Sequence, residues 1–413
     1  MTSRSLLALF PLFMACLPAC GDGAASAGSA GRDTGSAQAG ANSAASAGKS
    51  AHESSAGASN APQGSGGSTS SSAGTNNGYA PPATAWNSAK SVIVTDVQLQ
   101  AEYAAWKAAH VTSCANGSSV VARDGLALSE GIGYGMLLAT AMGEQALLDR
   151  FWKFYQDHLD KNGLMNWQWY ECEGPGNNNS NSATDADLDV TMALVQAAAL
   201  WPNAGYLDQA KALAAKIILF ESDMCNGRRV LLPGDAFGGC RDPFNQRINP
   251  SYFSPGYYKA FAHYFPDQAS TWTALGDGSY QLYAIYQARM SNLVPDWSLP
   301  DGSDSGDQFG EIACRTPWRV AVDYAWTGDT RAKTFMQNIS SWVDQNGGLP
   351  KAAQQQNSAF IGAFALAGGY EQGKFDAYTS AWLNAAVDDT SYYPGTLRVL
   401  YLLVAAGKFS STL

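Results

Sequence analysis

Glu130 stands in the run Leu128-Ser129-Glu130-Gly131-Ile132-Gly133-Tyr134-Gly135-Met136, an acid among apolar residues and alternating glycines. No lysine or arginine lies within six residues of it. A carboxyl group with neither water nor a cation beside it holds its proton to higher pH than usual. A second acidic run, Ala183-Thr184-Asp185-Ala186-Asp187-Leu188-Asp189, opens a strongly apolar stretch that ends at Trp201. Two separated carboxyl groups, one protonated and one ionised, are the minimum equipment for hydrolysing a glycosidic bond. Acids at helix starts also satisfy free N–H groups and the helix dipole, so Glu130 behind Ser129 and the acids behind Thr184 can equally be read as caps. Three acids within five residues, however, bring more like-charge repulsion than capping requires. The glycines are expected to bring backbone close to a ligand.

Helical periodicity runs through almost all of the chain from residue 90 onward, and convincing strands are few. It predicts helices near 95–110, 129–142, 144–158, 185–200, 205–219, 252–263, 267–289, 313–326, 329–345, 356–367, 373–385 and 394–406. The stretches 192–200, 359–367 and 397–406 are apolar around most of their circumference, whereas 205–219 keeps a polar face with Asp208, Lys211 and Lys216. Buried helices alternating with half-exposed ones give an all-α fold, an (α/α)6 barrel of six inner and six outer helices. The loops at 159–183, 221–251 and 290–312 would gather at its mouth. Aromatic residues there and nearby could stack on sugar faces: Trp167, Trp169, Tyr252, Phe253, Trp297, Tyr392 and Tyr393. Any single one of these suits a core better than a platform; their concentration in loops is what points to sugar.

The N-terminus has a different character. Arg4, an apolar stretch from Leu6 to Leu17, and Leu17-Pro18-Ala19-Cys20 form an export signal over residues 1–19. The ending resembles a lipobox, with Cys20 lipidated as the mature N-terminus. Residues 20–80 are mostly Ser, Gly, Ala and Asn, too poor in apolar side chains to fold, and are expected to be a flexible tether. Residues 81–413 would then form one catalytic domain, exported and held at the bacterial envelope by lipid alone, or secreted. A net charge of −10 without a basic run argues against nucleic acid as partner. The four histidines, His52, His110, His158 and His263, show no metal-ligand spacing, so no metal or other cofactor is expected. A monomer is expected. Export permits disulfides: Cys225–Cys240, bracketing a loop, is the first pair, Cys114–Cys172 the second, with Cys314 left as a packed thiol.

The runs at 129–136 and 183–201 together resemble glycoside hydrolase family 8. The second follows that family's signature except at Val190 and Thr191. Further similar blocks stand at 248–261, 293–302, 314–329 and 392–403, in order. The resemblance implies the (α/α)6 barrel and an inverting mechanism on a β-1,4-linked polysaccharide, most simply a cellulose-type glucan, with xylan and chitosan as alternatives. It implies Glu130 as proton donor, Asp185 as the acid that holds the sugar at the cleavage point, Asp187 as a lesser contact, and Arg315 as the arginine that positions base or sugar. The family's base precedes that arginine by three residues, where this chain has Ile312. Glu311, Asp307 or Asp304 could replace it, Glu311 pointing about 100° away if the segment is helical. A chain that had lost its base would bind glycan without cleaving it.

Overall fold

A helix that is apolar around most of its circumference must be covered around most of it, and six helices of this chain are largely buried. The structure, a computed structural model, describes residues 86–123, 125–172 and 181–409. It contains α1 (Asp96–His110), α2 (Ser129–Ala141), α3 (Gln145–Asp157), α4 (Thr184–Leu200), α5 (Tyr206–Phe220), α6 (Pro255–Tyr264), α7 (Ala269–Arg289), α8 (Thr316–Thr327), α9 (Thr330–Gln345), the single turn α10 (Leu349–Ala352), α11 (Ser358–Leu366), α12 (Gln372–Leu383) and α13 (Tyr392–Ala405). In α4 every residue from Thr184 to Ala197 is buried, and in α11 every residue is. In contrast α3 buries one stripe, Leu147, Leu148, Phe151, Phe154 and Tyr155. The buried helices α2, α4, α6, α8, α11 and α13 make the inner layer. Each packs on an amphipathic outer helix: α2 on α3, α4 on α5, α6 on α7, α8 on α9, α11 on α12, and α13 on α1. This is the (α/α)6 barrel. All twelve expected helices form within a few residues of their expected bounds, and α10 is the addition.

The alternating glycines of α2 do not approach a ligand, contrary to the expectation above. Each makes room for a neighbouring element. A Cβ on Gly133 would stand 2.9 Å from Asp189 Cβ and 3.1 Å from the Ala186 carbonyl of α4; one on Gly135 would meet Phe151 of α3 at 2.9 Å. One on Gly131 would meet the Tyr392 hydroxyl of α13 at 3.1 Å. The glycines therefore set how closely three elements close around Glu130.

The expected loops hold short strands. An antiparallel sheet in the order β1 (Val111–Ser113), β2 (Ser119–Arg123), β3 (Leu126–Leu128) and β4 (Gln168–Trp169) runs straight into α2. Leu128 pairs with Gln168, and the Ser129 N–H donates to the Trp167 carbonyl at 2.9 Å, which fixes where α2 begins. The hairpin β5 (Ser222–Cys225) and β6 (Arg228–Leu231) turns at Asn226-Gly227, both with positive φ. Disulfides join Cys225 to Cys240 and Cys114 to Cys172, and Cys314 is a buried thiol. No described helix is long and apolar enough to cross a membrane. The expected signal, Cys20 and the tether lie outside the described residues.

Candidate active site

The N-cap residues of α2 and α4 make no side-chain bond, and of the acids behind them Asp185 gives only Oδ1 to a first-turn N–H, that of Ala186 at 3.0 Å. Glu130 and Asp185 instead turn to one cation, Arg315, which closes the turn before α8. Its Nη1 donates to Glu130 Oε2 at 2.5 Å, to Asp185 Oδ2 at 2.9 Å and to the Tyr134 hydroxyl at 3.2 Å; Nη2 donates to Ser251 Oγ at 3.0 Å. Tyr252 stands under the guanidinium, 5.3 Å from ring centre to Cζ. The side chains of Arg315 and Asp185 are 4% and 3% exposed, Glu130 17%, so Glu130 is the acid a ligand can reach.

One positive charge serves two carboxyl groups in this cluster. With both acids ionised it carries net negative charge away from water; with Glu130 protonated it is neutral. Burial pushes Glu130 up, Arg315 opposes this, and the charge of Asp185 adds to it; the balance is upward. The Tyr392 hydroxyl donates to Glu130 Oε1 at 3.0 Å and holds the carboxyl from the other side. A reachable, buried acid that keeps its proton is suited to protonating a leaving oxygen.

The three acids of the second run separate by helix geometry. Asp185 and Asp189 are four residues apart and share a face. Asp189 binds Arg319 through two hydrogen bonds, and Trp318 and Tyr257 flank that guanidinium at 4.2 and 5.4 Å. Asp187 lies on the opposite side, fully buried, accepting from the Tyr155 hydroxyl at 2.5 Å and the Met165 N–H at 3.4 Å. The structure thus does not place Asp187 at the groove.

Two expected platforms are core residues. Trp169 is 2% exposed and packs on Phe154 and His158, with ring centres at 6.0 and 4.8 Å. It belongs to β4, where alternate side chains face inward. Phe253 is 1% exposed and packs on Tyr283. Trp167 is half-buried, as is Trp297, which lies against Phe237 with the Arg247 guanidinium 5.0 Å over its ring. Tyr392 is 5% exposed and spends its hydroxyl on Glu130.

Residues 311 and 312 form a turn ahead of the 3-10 segment Ala313–Arg315, so the helical rotation argument against Glu311 does not apply. The Tyr393 hydroxyl donates to the Glu311 carbonyl at 2.6 Å, and Gln355 donates to its carboxylate. Glu311 lines a cavity of about 370 Å³ with Arg123 and Tyr393. Arg123 also acts electrostatically on Glu130. Asp307 is bound elsewhere, by Arg247 at 2.5 Å and Ser305 at 2.8 Å, and with Asp304 it lines a different cavity. Sequence reasoning missed Asp296, whose Oδ1 accepts the N–H groups of Gly310 at 3.0 Å and Ala313 at 2.7 Å. A Cβ on Gly310 would stand 2.3 Å from Asp296 Oδ2, so only glycine allows this contact. Asp296 fixes the turn that carries Glu311. Its only sequence signal was an acid in the 293–302 block. Among the described residues no group of His, Cys, Asp and Glu is placed to hold a metal ion.

Residues 74–407 match the sequence profile of glycosyl hydrolases family 8. Endoglucanase A of Acetivibrio thermocellus is 34% identical over 81% of this chain and 73% of its own length. Endoglucanase 2 of Ruminiclostridium josui is 35% identical over 75% and 71%. Among solved structures, the β-1,3-1,4-glucanase of Paenibacillus sp. X4 superposes with a TM-score of 0.69 at 23% identity, covering 79% of this chain and 97% of its own. The profile match over most of the chain and these identities place the chain in one family: it is a member of glycosyl hydrolases family 8.

Proposed function

We propose that the protein is an inverting, endo-acting hydrolase of β-1,4-glucan. The observation that carries the reading is the sharing of Arg315 between Glu130 and Asp185, with Glu130 the accessible member. Glu130 protonates the leaving glycosidic oxygen as the C–O bond breaks. Asp185, bound to Arg315, holds the sugar ring at the cleavage point. A water attacks the anomeric carbon from the opposite face and gives its proton to Glu311, so configuration inverts. Glu311 is preferred to Asp307 because Arg247 holds Asp307 in a separate cavity. Trp167, Tyr252 and Trp297 are the remaining sugar contacts.

Glucan is preferred because the relatives at 34 and 35% identity bear endoglucanase names. We place the barrel outside the cytoplasm, on a tether over residues 20–80 with a lipid on Cys20, in line with the sequence of residues 1–80. The test follows reducing ends released from carboxymethylcellulose, xylan and chitosan, with the product anomer read by proton NMR. Release from carboxymethylcellulose with an α-configured first product supports the reading. No release from any of the three, or a β-configured product, overturns it.

A further inference from the structure

A second acid pair lies behind α4, away from the groove. Asp187 and Glu221 are both completely buried. Glu221 Oε1 accepts from Ser182 Oγ at 2.5 Å, and Asp187 Oδ1 accepts from Tyr155 and the Met165 N–H. Their remaining oxygens, Asp187 Oδ2 and Glu221 Oε2, are buried, the two carboxyl groups lie within reach of each other, and the Thr184 hydroxyl also acts on Glu221. Among the described residues no cation is bonded to either. The titratable groups that act on them are Tyr155 from α3 and Asp160 from the following loop; Lys216 of α5 and Arg229 of β6 are cations on neighbouring elements. Lys216 is held by the Gly163 carbonyl and Arg229 by Ser222 Oγ. Ser182 links Glu221 to Asp235, since its N–H donates to Asp235 Oδ1 at 3.0 Å, and Asp235 is in turn hydrogen-bonded to Asp160.

Two carboxylates cannot both be ionised in contact, out of water and without a cation. We infer that Glu221 and Asp187 share one proton in the native enzyme, and that this hydrogen bond positions the first turn of α4 and with it Asp185. Asp187 lies two residues beyond Asp185, so fixing it fixes the rotation that turns Asp185 toward Arg315. Burial is the main force raising both acids, and the charge of Asp187 raises Glu221 further. Acids raised in the folded state contribute stability fully below their unfolded values and lose it as pH rises through the folded ones. Loss of the proton at alkaline pH sets two charges against each other behind the catalytic helix. Glu221 and Asp187 are positioning residues; neither touches substrate.

The test compares the wild-type chain with E221Q, whose amide donates to Asp187 at every pH. The fall in Tm between about pH 6 and about pH 9 should shrink by roughly 2–4 °C in E221Q, the size one ionisation produces in a domain of this length. The infrared carbonyl band of a protonated carboxylic acid should persist in E130Q and weaken in both E221Q and D187N. The alkaline limb of kcat/KM should also move to higher pH in E221Q; that arm alone rests on the hydrolase reading, so a protein inactive on every glycan still tests the proton through Tm and infrared. Superimposable Tm–pH curves for wild type and E221Q overturn the inference. Should E221Q not fold, an E130Q protein without the protonated-acid band at about pH 7 overturns it as well.

Discussion

Replacing Asp185 by Asn removes the carboxyl group that shares Arg315 with Glu130 while keeping the size of the side chain. Both acid oxygens sit on one nitrogen, at 2.5 and 2.9 Å, and so stand within about 5 Å of each other. At an effective dielectric constant of about 20, that repulsion is worth about 3 kcal/mol before screening. Some of it is screened because Glu130 is the exposed member, and loss of what remains lowers the pH at which Glu130 gives up its proton. The sign follows from the role. Protonated Glu130 is the working form, activity is lost as pH rises through its pKa, and a lower pKa moves the alkaline limb of kcat/KM to lower pH. The assay is kcat/KM against pH for wild type and D185N on a soluble glucan. Loss of the sugar contact lowers the whole D185N curve at every pH; the displaced limb reports the electrostatics. An alkaline limb that stays in place or moves upward would refute the shared-arginine argument.

Three further outcomes follow. E311Q should lower kcat by about 10²–10⁴, the usual size of a general-base contribution, and azide should restore turnover as an α-glycosyl azide. D307N, altering an acid held by Arg247, should stay within about tenfold of wild type on the same substrate; the reverse ranking would transfer the base to Asp307. G133A forces a Cβ to 2.9 Å from Asp189 and 3.1 Å from the Ala186 carbonyl. Overpacking of this kind costs about 1–3 kcal/mol, and a Tm equal to wild type in calorimetry would show that α2 and α4 can move apart.

The helices were legible because six of them are buried over most of their surface and the others on one side, and apolar spacing reports burial directly. Glu130 and Asp185 were legible as acids in positions that solvation does not explain. Their common partner could not be read, since Arg315 lies 185 residues from Glu130 and 130 from Asp185. The acids of α4 looked equivalent in sequence, yet a rotation of about 100° per residue sends Asp187 to the far side. The glycines of α2 misled because a close approach to a ligand and to another helix require the same absent side chain. Strands of two to five residues are too short for alternation to register, so β4 and its inward-facing Trp169 were read as loop.

The central claim is that Glu130 delivers the proton to the leaving oxygen. It is tested most directly by E130Q on two substrates, a glucan polymer and an aryl oligoglucoside whose leaving group needs no protonation. Loss of about 10²–10⁴ in kcat on the polymer, with most activity kept on the aryl substrate, is the predicted result. Polymer hydrolysis within about tenfold of wild type, or equal losses on both substrates, would contradict it.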